Sequence, residues 1–159
     1  MTPNELMPRI LAEIEKAVAE VFSVQFALTT EKILTPVSFN ESEESVASVI
    51  NLKDPAFDVA FTLFFPRAAF CSVVETMFGE PVTEIGAGNA DAVGEILNMV
   101  YAGARKRLNE SGLSLQPAVP AVMWGKGLGL SMNGFDRVEK LVFKTLDQHF
   151  EVRVAIRKS

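Results

Sequence analysis

The stretch Phe57-Asp-Val-Ala-Phe-Thr-Leu-Phe-Phe65, closed by Pro66, sets the reading of the rest of the chain. Its aromatic and β-branched residues suit a strand, and the proline ends it because it has no N–H to give the ladder. Downstream, Arg67 to Phe78 reads as a short helix and 79–88 as a loop. Residues 90–110 then form a long helix, with Asn89 as its N-cap and Asn109-Glu-Ser-Gly112 as its stop signal. Further strands fall near 118–124, 128–133, 137–146 and 149–157, with Leu146-Asp-Gln-His149 turning the last hairpin. In the final strand Phe150, Val152, Val154 and Ile156 alternate with Glu151, Arg153, Ala155 and Arg157, which predicts one buried face and one wet face.

Upstream of Phe57, strand-like runs occupy 46–52 and 33–39, and the alternation of Val24, Phe26 and Leu28 marks another. Residues 4–22 carry Leu6, Ile10, Ile14, Ala17, Val18, Val21 and Phe22 at helical spacing, with Pro8 near the start. The order helix, strands, helices, strands predicts an α+β fold, a mostly antiparallel sheet with two long helices and one short helix packed on it. Each half places a long helix before strands without close sequence identity, so any repeat is architectural.

With 159 residues, 48% of them apolar, the chain suits one domain over 1–159 with a sizeable core. A formal charge of −5 argues against nucleic acid, whose phosphates would repel it. One cysteine excludes an internal disulfide, and one histidine excludes multi-histidine metal sites. Cys71 sits in an apolar helical run and is expected to be a buried thiol, and His149 an ordinary surface histidine. The N-terminus carries an acid where a signal peptide has positive charge, and no stretch is long and apolar enough for a membrane span, so a cytoplasmic chain is expected. Glu41-Ser-Glu-Glu-Ser reads as a solvated acidic turn.

On the long helix, Asp91, Glu95, Asn98 and Ala102 fall within one narrow arc, while Val93, Leu97, Val100, Ala104 and Leu108 lie opposite, on the face expected to be buried. An acid and a carboxamide therefore face outward together. Ala102 and Gly103 leave a shelf beyond Asn98, and Arg105, Lys106 and Arg107 gather further on, where cations also suit a helix C-terminus. Other motifs fail. Gly86-Ala-Gly88 precedes the helix, but the third glycine of a dinucleotide fingerprint would fall on Asp91, whose charge would repel a pyrophosphate. Gly125-Lys-Gly127-Leu-Gly129 lies between strands as a flexible hairpin, and Trp124 beside it reads as a packing residue.

The pattern Asp91-x-x-x-Glu95-x-x-Asn98, followed by Gly103 and a proline-containing strand around Pro117 and Pro120, resembles the signature of the CheX, CheC and FliY chemotaxis phosphatases. The runs Phe64-Phe-Pro-Arg-Ala-Ala and Met77-Phe-Gly-Glu-Pro-Val are similar to that family too, so the likeness spans the chain from about residue 57 onward. Relatives of the CheC type carry a second copy of the motif on the first helix; here Glu13 is followed by Lys16, which resembles one-site CheX more. The downstream prolines do not fall quite at the family's spacing.

The resemblance implies a protein-aspartyl-phosphate phosphatase whose substrate is a phosphorylated response regulator of the CheY type. In such a site Asn98 positions the attacking water and Glu95 docks a lysine of the regulator. Asp91, Ala102, Arg105 and Lys106 would touch the partner, the cations countering its acidic charge. The chain would need no cofactor of its own, because magnesium would come from the regulator's acidic pocket. The likeness to CheX, and strand edges that need partners, also imply a homodimer. A non-catalytic regulator-binding or flagellar-switch module of the same fold is the alternative. A small-molecule hydrolase using Asp91 and Glu95 as acid and base has no flanking sequence in its support.

Overall fold

Thr2 starts the first helix with a reciprocal cap: its hydroxyl accepts from the Glu5 N–H at 3.2 Å, and the Glu5 carboxylate accepts from the Thr2 N–H at 3.1 Å. In the computed structural model, which describes residues 1–40, 42–128, 130 and 132–159, this helix is α1, Pro3–Phe26. The strands β1 (Glu31–Ile33), β2 (Glu44–Lys53) and β3 (Phe57–Pro66) follow, then α2 (Arg67–Phe78) and α3 (Asp91–Glu110). The chain ends with β4 (Ala121–Lys126), β5 (Arg137–Thr145) and β6 (Gln148–Lys158). The fold is α+β, as expected.

The six strands form one sheet in the order β1-β5-β6-β3-β2-β4, and each neighbouring pair is antiparallel. Exchanging β1 with β4, β2 with β5 and β3 with β6 reproduces this order read backwards. The architectural repeat is therefore a pseudo-two-fold, with β3 and β6 at its centre and α1 and α3 as its paired helices. Those helices cross closely at Gly103, where a Cβ would meet the Ala17 Cβ at 3.6 Å.

The core lies between the helices and one face of the sheet. Phe150 of β6 stacks on Phe22 of α1 at 5.0 Å, on Phe65 of β3 at 4.9 Å and on Phe143 of β5 at 5.4 Å. The expected face of α3, Val93, Leu97, Val100, Ala104 and Leu108, is wholly buried. In β6 the inward face Phe150, Val152, Val154 and Ile156 is buried as expected, but the face expected to be wet is not: Glu151 and Ala155 are buried too, and Arg153 and Arg157 are only partly exposed.

Several local expectations are corrected. Val24 and Phe26 belong to α1 and not to a strand. Phe22 and Phe26, one turn apart, pack edge to face at 5.5 Å, and the helix closes only at Ala27, which takes φ 54°. Beyond Ile33 the expected strand of 33–39 gives way to irregular chain, with Phe39 packed on Phe64 at 5.3 Å. Of the expected strand at 128–133, Leu128, Leu130, Met132 and Asn133 are not in a strand, and Gly129 and Ser131 lie outside the described residues, as does Glu41 of the acidic turn.

Asn89 does not cap α3. Its carboxamide accepts from the Gly86 N–H at 3.0 Å and donates to the Glu84 carbonyl at 2.8 Å, organising the preceding loop, while Ala90 holds the cap position without a side-chain bond. Cys71 is only partly buried, though burial still pushes its thiol up from the ordinary value. His149 pairs with Lys144 inside β6, because the hairpin turns on Leu146 and Asp147 alone, at φ 50° and 59°.

Candidate functional site

Asp91, Glu95, Asn98 and Ala102 are all exposed along one side of α3. Their neighbours Ala92, Val93, Ile96 and Leu97 are buried, so core packing fixes which way the helix is turned. Among the described residues, nothing within the chain hydrogen-bonds or ion-pairs with the Glu95 carboxylate or the Asn98 carboxamide. Both groups are open to a partner.

A second wall stands opposite them. After α3 the chain doubles back along the helix. The Arg105 guanidinium donates to the Leu115 carbonyl at 2.8 Å, and Asn109 exchanges two bonds with Leu115 at 2.8 and 3.0 Å. The buried Tyr101 hydroxyl donates to the Gln116 carbonyl. Further along, Pro120 and Val122 reach Gly94, where an added Cβ would lie only 2.9 Å from the Val122 Cγ2. Gly94 thus lets the returning chain lie against the helix, which no larger residue would permit without movement. Between helix and returning chain lies an open cavity of about 310 Å³, lined by Asp91, Gly94, Glu95 and Asn98 on one side and by Ala118, Val119, Pro120 and Val122 on the other.

The basic group does not act as one patch. Arg105 is tied to the Leu115 carbonyl, and Arg107 pairs with Glu20 and, at 3.7 Å, with Glu13 of α1. Only Lys106 stays exposed, at the edge of the groove between α1 and α3 that also holds Ala102. On α1, where two-site relatives would carry a second motif, Glu13 is engaged by Lys16 at 3.4 Å and by Arg107. Trp124 is 44% exposed on the edge strand β4, and so is not the packing residue expected. Among the described residues, no three or more His, Cys, Asp or Glu side chains are placed so that they could hold a metal ion. No described helix is long and apolar enough to cross a membrane.

A family model described as chemotaxis phosphatase CheX matches residues 46–143, which include most of β2 together with β3, α2, α3 and the whole wall. This chain belongs to the CheX family. Its fold is that of chemotaxis protein CheX from Vibrio vulnificus, at TM-score 0.80 and 20% identity over 93% of this chain and 99% of that one. CheX from Desulfovibrio desulfuricans matches at TM-score 0.77 and 26% identity, over the same shares of the two chains. A CheX solved from Borrelia burgdorferi in complex with CheY, BeF3 and magnesium is similar at TM-score 0.63 and 14% identity, over 93% of this chain and 97% of that one. Among curated proteins none matches by sequence.

The sequence left the wall unread. Its signals were Pro117 and Pro120, which stiffen the returning chain, and Gly94, the one glycine inside the first turns of α3. The Tyr101 anchor carries a pH signature, because burial pushes its phenol from the ordinary 10.0 up to about 12. The folded-state value is the higher, so its contribution is full below pH 10 and is lost as the pH rises through about 12. Tyr101→Phe is expected to cost about 1 kcal/mol at neutral pH, the worth of a typical hydrogen bond. It should also flatten the loss of stability between pH 10 and 12, as read by urea unfolding of both proteins across that range. Parallel alkaline curves would show that Tyr101 does not titrate with unfolding.

Proposed function

We propose that this chain dephosphorylates a CheY-like response regulator phosphorylated on aspartate, with Asn98 positioning the attacking water. The observation that carries the reading is the pair Glu95 and Asn98, without a partner among the described residues and exposed on one arc beside an open cavity in a CheX-family chain. The Borrelia relative, solved with CheY, BeF3 and magnesium, supports the choice of partner, since beryllium fluoride is a stand-in for a phosphoryl group.

An aspartyl phosphate is a mixed anhydride, so its hydrolysis asks chiefly for a water held in line with the departing carboxylate. The Asn98 oxygen accepts a hydrogen bond from that water and has no proton of its own to exchange. The water oxygen bonds to phosphorus, the phosphorus–carboxylate bond breaks, and the water's proton leaves with the phosphate or to solvent. Glu95, one turn before Asn98, pairs with a lysine of the regulator and sets the register in which Asn98 enters. Asp91 and Ala102 extend that contact along the arc, with Lys106 at its end, while Arg105 acts through the wall it holds. Magnesium is supplied by the regulator's own acidic pocket.

The test is phosphate loss from a panel of phosphorylated receiver domains at constant magnesium, with and without this protein. Acceleration of at least one member is expected. Retained binding with no acceleration would make the chain a regulator-binding adaptor instead.

A second copy is the further partner proposed. The edge strand β4 presents a ladder edge that no strand of the described residues pairs, and a half-exposed Trp124, a residue type enriched at interfaces. A dimeric mass by light scattering at micromolar concentration is expected, and a monomeric one would defeat it.

A further inference from the structure

Val119 is 91% exposed, yet it stands on the crest of a wall anchored at both ends. Arg105, Asn109 and Tyr101 hold the wall at Leu115 and Gln116, and Pro120 and Val122 rest on α3 at Gly94. Pro117 and Pro120 flank the crest and restrict its backbone. A β-branched side chain on such a support has little freedom to lose when it is covered. The cavity beneath it is two-sided in chemistry: Asp91, Glu95 and Asn98 are polar, and Ala118, Val119, Pro120 and Val122 are apolar. At about 310 Å³ it is at the small end of binding cavities.

We propose that Val119 is a specificity-determining contact of this site, packing against an apolar side chain that the regulator carries beside its phosphoaspartate. The inference rests on the phosphatase reading and adds what that reading lacks, a way to choose among receivers. The polar wall addresses groups that any phosphorylated receiver offers, an aspartyl phosphate and a lysine. It therefore discriminates poorly. A loop that brings its phosphoryl group to Asn98 through this cavity lies against Val119, because both residues line it. A receiver with an apolar residue there buries it together with a preorganised valine, whereas one with an acidic residue brings that charge into a cavity lined by Asp91 and Glu95 and by no cation.

The experiment measures steady-state dephosphorylation of the receiver that the native protein turns over fastest in the panel, using the native protein, Val119→Ala and Val119→Asp. KM should rise roughly threefold for Val119→Ala and roughly tenfold for Val119→Asp, with kcat within about twofold of native. The ranking of receivers by kcat/KM should also change with Val119→Asp. An unchanged KM in both variants would overturn the proposal while leaving the phosphatase reading intact, and so would a fall confined to kcat. A drop in oligomeric mass with KM unchanged would assign Val119 to self-association and overturn it equally. If the native protein accelerates no receiver, the parent reading fails, and this one with it. Val119 makes so little contact with the fold that both variants should melt with the native protein. Should Val119→Asp not fold, Val119→Ala alone decides.

Discussion

Asn98→Ala is expected to lower kcat for receiver dephosphorylation roughly 100-fold or more while changing KM little, because a water no longer held in line loses most of what positioning supplies. Asn98 is exposed on α3 and has no partner among the described residues, so its removal leaves no buried group stranded, and alanine favours the helix more than asparagine does. The variant should therefore stay folded and still bind a receiver carrying beryllium fluoride and magnesium. Glu95→Ala should behave differently. It removes a docking charge, so KM should rise about tenfold or more with a smaller effect on kcat. Since a carboxamide does not titrate, the ratio of native to Asn98→Ala rates should be flat between about pH 6 and 9 at saturating magnesium. A ratio that bends across that range would mean that Asn98 works through a titrating neighbour. Activity unchanged by Asn98→Ala would sink the water-positioning role outright and favour acid–base chemistry by Asp91 and Glu95.

What the sequence told and what it withheld divide along physical lines. The arc of Asp91, Glu95, Asn98 and Ala102 was legible because a helix buried on one side must expose the other, and 3.6 residues per turn fixes which residues travel together. β3 was legible because its aromatic run and terminal proline leave few alternatives. The extension of α1 through Val24 and Phe26 was misread because a short alternation also fits a helix when the residues lie four apart, as Phe22 and Phe26 do. Asn89 was misread because an asparagine before a helix suits either a cap or a loop, and here the loop carbonyl of Glu84 and the N–H of Gly86 take both ends of it. The basic group looked coherent because sequence counts charges and not their partners. Two of its members are occupied by the Leu115 carbonyl and by the acids of α1. The wall was invisible for the same reason. It exists through contacts between α3 and residues 115–122, made by Tyr101, Arg105 and Asn109 at one end and allowed at the other by the space above Gly94.

The largest expected effect on stability lies on the other face of the sheet, away from the site. Glu151 and Arg153 alternate outward on β6, a position the sequence marks as wet, yet their side chains are only 3% and 17% exposed and form an ion pair. Arg153 also lies 5.9 Å from the centre of the Phe64 ring, and Phe39 packs on the same ring. The two charges have given up water for each other, which makes the pair of little net worth but costly to halve. Arg153→Ala is expected to destabilise the fold by about 3–5 kcal/mol, since it leaves the Glu151 carboxylate buried without its cation. For a chain of this length that corresponds to a fall in Tm of roughly 6–20 °C. The double variant Glu151→Leu with Arg153→Met removes both charges and keeps the volume, so it should recover most of the loss. Urea unfolding of the native protein, the single variant and the double variant decides the matter. A single variant within about 1 kcal/mol of native would mean that water reaches Glu151 and the pair behaves as a surface one. Folded Arg153→Ala should keep its native kcat, because α3 and the wall that frame Asn98 take no support from this pair.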